Sequence, residues 1–356
     1  MKILLLSRYS RLGASSRLRS YQYLPYLKAQ GIDVTVASLL GDEYIKNLYT
    51  GRRVNLLSVI GAYVRRITCL LKSNRFDLLW IEYEILPWLP AWAERILACF
   101  GIPYIVDYDD AIFHRYDMHQ WRMVRRILGD KIDKVIHQAT LVIAGNRYLA
   151  DRARRAGARW IECLPTVVDL KRYRVDPNRK KSVVNFGWIG SPTTAKYLYL
   201  VTHAFAKVCS DINARLVLVG SGQVQLDGIP TEIRTWSEET EVKNIQDFDV
   251  GIMPIPDDPW TRGKCGYKLI QYMACGRPVI ASPVGVNQQI VEDGANGFLA
   301  ITVSDWVHAL KTLGNDYELR DRMGKAARAK VESQYSLQVA APRLADLMRN
   351  MVSEFE

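Results

Sequence analysis

Residues 249–300 read DVGIMPIPDDPWTRGKCGYKLIQYMACGRPVIASPVGVNQQIVEDGANGFLA. The order is strand, long loop, helix, strand, helix, turn. VGIMPI (250–255) and PVIAS (278–282) are unbroken apolar runs of the kind that suits parallel strands buried on both faces. Between them, Arg262, Gly263, Lys264, Gly266 and Lys268 surround the start of a predicted helix, Tyr267–Cys275. Two glycines, a helix N-terminus and three cations at one point describe a phosphate-binding site, because unpaired backbone N–H groups and the helix dipole attract anions. The spacing is not that of a Walker A loop, which disfavours an NTP-hydrolysing motor. Lys268 and Gln271 lie three apart and share a face, while Ile270, Met273 and Ala274 turn toward a core. The alternative is a solvated basic loop, which fits poorly beside so apolar a helix.

The same alternation extends over the chain. Strand-like runs stand at 2–7, 33–39, 78–83, 104–108 and 140–145, then at 183–189, 215–221, 250–255 and 278–282. Nine strands separated by helical stretches predict right-handed crossovers and doubly wound parallel sheets. They fall in two batches, split by LPTVVDLKRYRVDPNRKK (164–181), whose prolines and cations suit an exposed linker. The expectation is an α/β protein with a first domain over 1–165, a linker over 166–182, a second domain over 183–340 and a C-terminal helix over 341–356 that can cross back to the first. Ligands of open α/β sheets bind beyond the carboxyl ends of strands, so 8–19, 82–88, 107–117, 190–196, 220–224 and 256–268 carry the candidates.

Two of these stretches stand out in the front half. Gly13, Ala14, Ser15 and Ser16 make a small-residue loop entering a helix, with Arg17 and Arg19 just inside. It reads equally as an anion site or as a simple helix cap. After the fourth strand, Asp107, Asp109, Asp110, His114 and Asp117 gather in VDYDDAIFHRYD. Asp109, Asp110 and His114 are catalytic candidates, since carboxylates at a strand end can act as bases or hydroxyl ligands. Salt bridges to the basic front half are the other reading.

The 356 residues are 49% hydrophobic and 24% charged, which excludes a disordered or fibrous chain. Six cysteines without a C-x-x-C pair and five histidines without an H-x-x-x-H pair argue for a reduced, cytoplasmic protein without structural zinc. No apolar run reaches a membrane span. The net charge of +11 is lopsided: residues 1–165 hold 25 Lys and Arg against 15 Asp and Glu, residues 166–356 hold 23 against 22. Nucleic acid is disfavoured, as neither zinc-finger spacing nor an RNA-recognition consensus is present. An anionic membrane surface fits better: in 52–75, Val54, Leu57, Ile60, Val64, Ile67 and Leu71 fall on one helical face, flanked by Arg65, Arg66 and Lys72. Basic amphipathic helices of this kind lie peripherally in the headgroup region. A core-facing helix with a solvated basic side is the alternative.

The motifs D-V-G-I-x-P (249–254), Y-M-A-C-G-R-P-V-I-A-S (272–282) and E-D-G-A-N-G-F-L (292–299), with FGWIG (186–190) and LVLVGSG (216–222), resemble the carboxyl-domain signature of GT-B-fold glycosyltransferases of family four. The resemblance covers most of 183–340 and implies two Rossmann-like domains facing each other across a cleft, the first binding acceptor and the second a nucleotide-sugar donor. It places donor diphosphate contacts at Gly13, Arg262, Lys264, Gly266 and Lys268, a ribose contact at Gln271 and the nucleobase region at Gly220 and Trp236. Two glutamates that the family sets eight apart fall on Gly263 and Gln271 here. Trp188 stands where the family tends to have an arginine, so that Lys264 and Lys268 can replace its charge. A family histidine aligns with Asp109.

The resemblance implies transfer of a sugar from a nucleoside diphosphate to an acceptor hydroxyl with retained anomeric configuration, needing neither metal nor cofactor. The acceptor would be a glycan or a lipid-linked molecule in cell-surface assembly. A nucleotide-sugar epimerase and a non-catalytic nucleotide-sugar-binding subunit are the competing classes.

Overall fold

The computed structural model describes residues 1–49, 55–176 and 182–353. The chain forms two compact units, Met1–Thr166 with Ala340–Glu356, and Val167–Val339. The first holds six parallel strands: β1 (Lys2–Leu6), β2 (Asp33–Val36), β3 (Leu78–Glu82), β4 (Tyr104–Tyr108), β5 (Leu141–Ala144) and β6 (Ile161–Cys163), in the order β2-β1-β3-β4-β5-β6. The second holds β7 (Val184–Ile189), β8 (Ala214–Val219), β9 (Thr231–Arg234), β10 (Val250–Met253), β11 (Val279–Ala281) and β12 (Gly297–Leu299), in the order β12-β11-β10-β7-β8-β9. Helices connect the strands, as parallel pairing requires.

Nine of these strands match apolar runs in the sequence. The other three, β6, β9 and β12, are all sheet edges. Ile161–Cys163 and Thr231–Arg234 are only part-buried, so nothing selects a continuous apolar run there. The inner strands are buried along their length, β3, β4 and β7 without exception. In the second unit the side chains divide by the period of two that strands impose. Val184, Phe186 and Trp188 of β7 join Leu216 and Leu218 of β8 in one cluster, while Val217 and Val219 enter the cluster on the opposite face. Each such residue contributes roughly 1.5–3 kcal/mol through burial.

In each sheet the chain starts near the middle and builds outward in both directions. The reversal falls between β1 and β3 in the first unit and between β7 and β10 in the second. Crevices at such switch points, beyond the strands' carboxyl ends, are where open α/β sheets take ligands.

Two expectations change. The described part of 166–182 is not an exposed linker. Val167, Val168 and Tyr173 are buried, and Val168 exchanges backbone hydrogen bonds with Tyr335 and Leu337. Apolar residues spaced between its cations fill the second unit's core; Pro177 to Lys181 lie outside the described residues. The helix read over 52–75 is observed as Leu56–Leu70, and its apolar face is not core-facing. Leu57, Ile60, Val64, Ile67 and Leu71 are exposed, and Arg66 enters the interior together with Ala62. Val54, with Arg52 and Arg53, lies outside the described residues.

The last helix, Leu337–Ser353, begins in the second unit and continues into the first. There Leu344, Met348 and Met351 are buried, and Arg343 pairs with Glu162 at 2.6 Å. Among the described residues, no helix is long and apolar enough to cross a membrane.

Candidate functional site

In the second unit the chemistry gathers on Lys268, in the first turn of the helix Tyr267–Ala274. Gly266 caps that helix in the left-handed region (φ +63°), where a Cβ would lie 2.4 Å from Ile290 Cδ1. The turn that aims the helix N-terminus therefore requires glycine. Gly190 follows β7, and a Cβ there would stand 2.6 Å from Lys268 Nζ. Gly220 follows β8 and lies against the Gly190 carbonyl and Trp236. Gly190, Gly220, Trp236 and Lys268 thus meet at the ends of neighbouring strands.

The Lys268 ammonium sits 4.0 Å from the centroid of the Trp188 ring and 3.5 Å from Thr194 Oγ1. Among the described residues it makes no ion pair. Burial first, and the Lys264 charge second, bring its pKa down to about 7. Both causes penalise the cation, and an arriving anion would relieve both.

Arg262, expected at the diphosphate, and Gln271, expected at the ribose, are engaged elsewhere. Arg262 is exposed, and its guanidinium grips Asp257 with Nε and Nη2 at 2.6 and 3.0 Å. Gln271 is buried rather than presented on a face: its Nε2 donates to the Tyr173 hydroxyl at 2.8 Å. Tyr173 donates onward to Glu241 Oε1 at 2.5 Å, and Trp236 Nε1 donates to Glu241 Oε2 at 2.8 Å. The helix is buried from Leu269 to Ala274, so position 271 faces a packed interior. Gly263 closes the preceding helical turn, its N–H donating to the Trp260 carbonyl.

The first unit holds a second polar centre, at the ends of β1, β3 and β4. Gly13 belongs here. Its N–H donates to the Ser10 carbonyl at 2.9 Å, so that N–H serves the turn instead of pointing at a ligand. Ser15 Oγ donates to Asp109 at 2.7 Å, and the Tyr83 hydroxyl donates to the same carboxylate. Tyr83 holds a positive φ of 64°, a strained backbone for an aromatic residue that persists only where its surroundings fix it. Asp110 accepts its neighbour Ala111's N–H at 2.9 Å. His114 does not join this centre: its ring nitrogens face Asp117 at 2.8 Å and Tyr148 at 2.9 Å. Arg152 bridges Asp117 to Asp133, so His114 belongs to a packed ion-pair network.

Four further residues lie in this centre and were not singled out in the sequence. Glu82 accepts from the Arg8 N–H at 2.8 Å and from Ser16 Oγ at 2.6 Å, all on Oε2. Its Oε1 is buried without a hydrogen-bond partner among the described residues, and burial raises its pKa to about 7. Glu84 pairs with Lys131 at 2.5 Å and lies 3.5 Å from Arg8. Arg8 in turn has Nε and Nη1 buried without hydrogen bonds. The available signal was position alone: Arg8 and Glu84 follow, and Glu82 ends, the strands that flank the switch point.

Comparison with known proteins matches residues 180–316 to the family model described as glycosyl transferases group 1. D-inositol 3-phosphate glycosyltransferase of Paenarthrobacter aurescens is 34% identical over 87 residues, 24% of this chain and 20% of that protein. N-acetyl-alpha-D-glucosaminyl L-malate synthase of Bacillus anthracis is 30% identical over 144 residues, 38% of this chain and 37% of that protein. The matches thus span well under half the length of these relatives. Among solved structures, sucrose-phosphate synthase from Thermosynechococcus elongatus superposes with a TM-score of 0.74 at 15% identity, covering 99% of this chain and 100% of that one. HepE of Anabaena, solved with UDP-glucose, gives 0.72 at 17% identity, covering 98% and 100%. The chain has the two-domain GT-B fold of these neighbours, and its residues 180–316 are similar to the glycosyl transferases group 1 model.

Proposed function

We propose that the protein is a retaining glycosyltransferase that moves a sugar from a nucleoside-diphosphate sugar to an acceptor hydroxyl, in the assembly of a cell-surface glycan or glycolipid. The second unit would hold the donor and the first the acceptor. The observation that carries this reading is Lys268: a cation with no ion pair among the described residues, at a helix N-terminus. The leaving nucleoside diphosphate is an anion whose charge grows in the transition state. A preplaced ammonium and helix dipole stabilise that charge more than the ground state. Lys264 adds to the field; Arg262, already on Asp257, would contribute less.

In the first unit, Asp109 with its two hydroxyl donors would orient the sugar or acceptor. The buried, incompletely hydrogen-bonded Arg8 and Glu82 suit a polar acceptor nearby. HepE, of the same fold, was solved with UDP-glucose, which supports a UDP-sugar as the first donor to try. A lipid-linked acceptor would place the protein peripherally on the cytoplasmic face of a membrane, and the exposed apolar face of Leu56–Leu70 supports that address.

The test is a thermal-shift screen over UDP, GDP, ADP and their sugars, since a ligand of the folded state raises the melting temperature. Product analysis with and without acceptor then follows. A glycosylated acceptor with the donor's anomeric configuration supports the reading. An epimerised donor without acceptor, or binding with no turnover on any acceptor, refutes it in favour of an epimerase or a silent binding subunit.

A further inference from the structure

We propose that the first unit docks on an anionic lipid bilayer through three helices that each expose large apolar side chains: Leu56–Leu70, Trp92–Cys99 and Arg122–Leu128. This extends the lipid-linked acceptor reading above by naming the docking surface and its partner.

A helix on a water-soluble protein turns its apolar stripe to the core and its charges to solvent. The first two helices depart from this: each exposes a row of large apolar side chains and buries one charged side chain beside other apolar ones. On Leu56–Leu70 the exposed face is Leu57, Ile60, Val64 and Ile67, while Arg66 is buried and donates from Nη2 to the Ser7 carbonyl at 2.5 Å. On Trp92–Cys99, Trp92 and Ile96 point out, with Phe100 following at 78% exposure. There Glu94 is buried together with Ala93 and Leu97, and it accepts the Ile85 N–H at 2.8 Å. At the third helix, Trp121 and Met123 are 66% and 72% exposed.

The patches connect. The Tyr63 hydroxyl donates to the Pro87 carbonyl at 2.7 Å, tying the first helix to the loop that leads into the second. In that loop the Trp88 ring meets His119 edge-on at 5.8 Å, and His119 meets Trp121 edge-on at 5.7 Å. Trp88 is itself exposed and holds a positive φ of 62°. A bulky residue keeps that backbone only when its surroundings fix it. An outward tryptophan held in a strained conformation is a positioned anchor rather than a loose surface residue.

Charge selects the occupant. Arg65, Arg95, Arg122, Arg125 and Arg126 are exposed on these helices, and their lone carboxylate, Glu94, is buried. A second copy meeting this patch about a twofold axis would set these arginines against their own counterparts. A bilayer with anionic headgroups instead neutralises them, takes the aliphatic stems along its surface and accommodates tryptophan at the boundary. Among the described residues no helix can cross the bilayer, so the surface lies in the interface plane.

The experiment is flotation of the full chain with phosphatidylcholine vesicles, with and without phosphatidylglycerol, at low and high salt. Acyl-chain-brominated lipid serves as the tryptophan quencher. The expected result is binding that requires phosphatidylglycerol, weakens with salt and quenches tryptophan emission. Replacing Arg122→Gln with Arg126→Gln should weaken binding by about fivefold per charge. Trp121→Ser with Met123→Ser should weaken both vesicle binding and quenching at an unchanged melting temperature, which separates weakened docking from lost fold. No binding to anionic vesicles at low salt, binding insensitive to both double variants, or a salt-stable dimer that ignores vesicles would each overturn the proposal. Nucleotide binding, measured in parallel, is independent of it. A chain that binds nucleotide sugar but does not float sinks only the docking surface, and one that floats but binds no nucleotide sinks only the transferase.

Discussion

The Lys268 ammonium lies 4.0 Å from the centroid of the Trp188 ring, so the two residues make one cation site. In the resembling family an arginine tends to occupy the position of Trp188. Here a lysine from the neighbouring helix rests its ammonium on the indole face instead. Lys268→Ala and Lys264→Ala should each weaken nucleoside-diphosphate binding more than nucleoside binding, by roughly 1.5–3 kcal/mol for a lost charge-assisted bond. Calorimetric titration of both ligands is the check, and equal losses would remove the diphosphate assignment.

Because the free protein holds Lys268 at about 7, donor binding should depend on pH. A nucleotide sugar's phosphodiesters do not titrate near neutrality, so the lysine sets the slope. Below about pH 7 the ammonium is already present and affinity is level. Above it the free protein has lost the proton that the complex needs, and affinity falls by about tenfold per pH unit until the complex deprotonates. The complex should therefore take up a proton at pH 8, measurable by titration in buffers of different ionisation enthalpy. Lys268→Arg should flatten the profile, and a flat profile in the unaltered protein would contradict the role of Lys268.

Asp109 accepts from Ser15 and Tyr83 in the first unit, whereas the expected donor site is in the second. Asp109→Asn should lower turnover by about 100-fold, within the range for a positioned acid or base, and leave nucleotide affinity nearly unchanged. Steady-state rates and equilibrium binding on the same preparation decide this. A parallel drop in affinity would mean that Asp109 serves the nucleotide.

Gln271→Glu restores the acidic residue of the resembling family, yet it should destabilise this protein. Position 271 is buried on Tyr173, whose hydroxyl already donates to Glu241. A carboxylate there meets a second carboxylate through one shared donor, at a cost of about 1–3 kcal/mol at neutral pH. The folded form would retain a proton that the unfolded chain has released, so lowering the pH should restore stability. Urea melts at pH 7.5 and pH 5 measure the difference, and equal stability to the parent at both would count against the buried placement.

Gly266→Ala forces a side chain into the left-handed cap, 2.4 Å from Ile290 Cδ1. The strain should cost about 1–3 kcal/mol of folding stability. Because it tilts the start of the helix, the variant should also bind nucleoside diphosphate less well. Thermal denaturation with and without nucleotide reports both effects.

The sequence exposes the parts of this molecule that repeat a pattern. Central parallel strands are apolar without interruption, so they are visible as runs, and Gly266 and Lys268 are visible because a cap and a cation adjoin. Edge strands such as Thr231–Arg234 bury too little to leave a run. Gln271 shares a helical face with Lys268 by spacing, but spacing does not say what packs on that face, and Tyr173 arrives from almost a hundred residues away. Glu82 and Arg8 were hidden for the same reason, being distant in the chain and joined only by the sheet's order. The helix at 56–70 was visible as amphipathic, but which side faced inward depended on Arg66 finding the Ser7 carbonyl.

Leu337–Ser353 gives the protein an unusual order of assembly. Leu344, Met348 and Met351 complete the interior of the first unit, although the rest of that unit is encoded before residue 167. During synthesis the residues before 167 emerge ahead of the second unit, and Leu344, Met348 and Met351 emerge only after it. The earliest part of the chain is therefore the last to be finished. Deleting the final seventeen residues would injure the first unit while leaving the second unit's own interior in place.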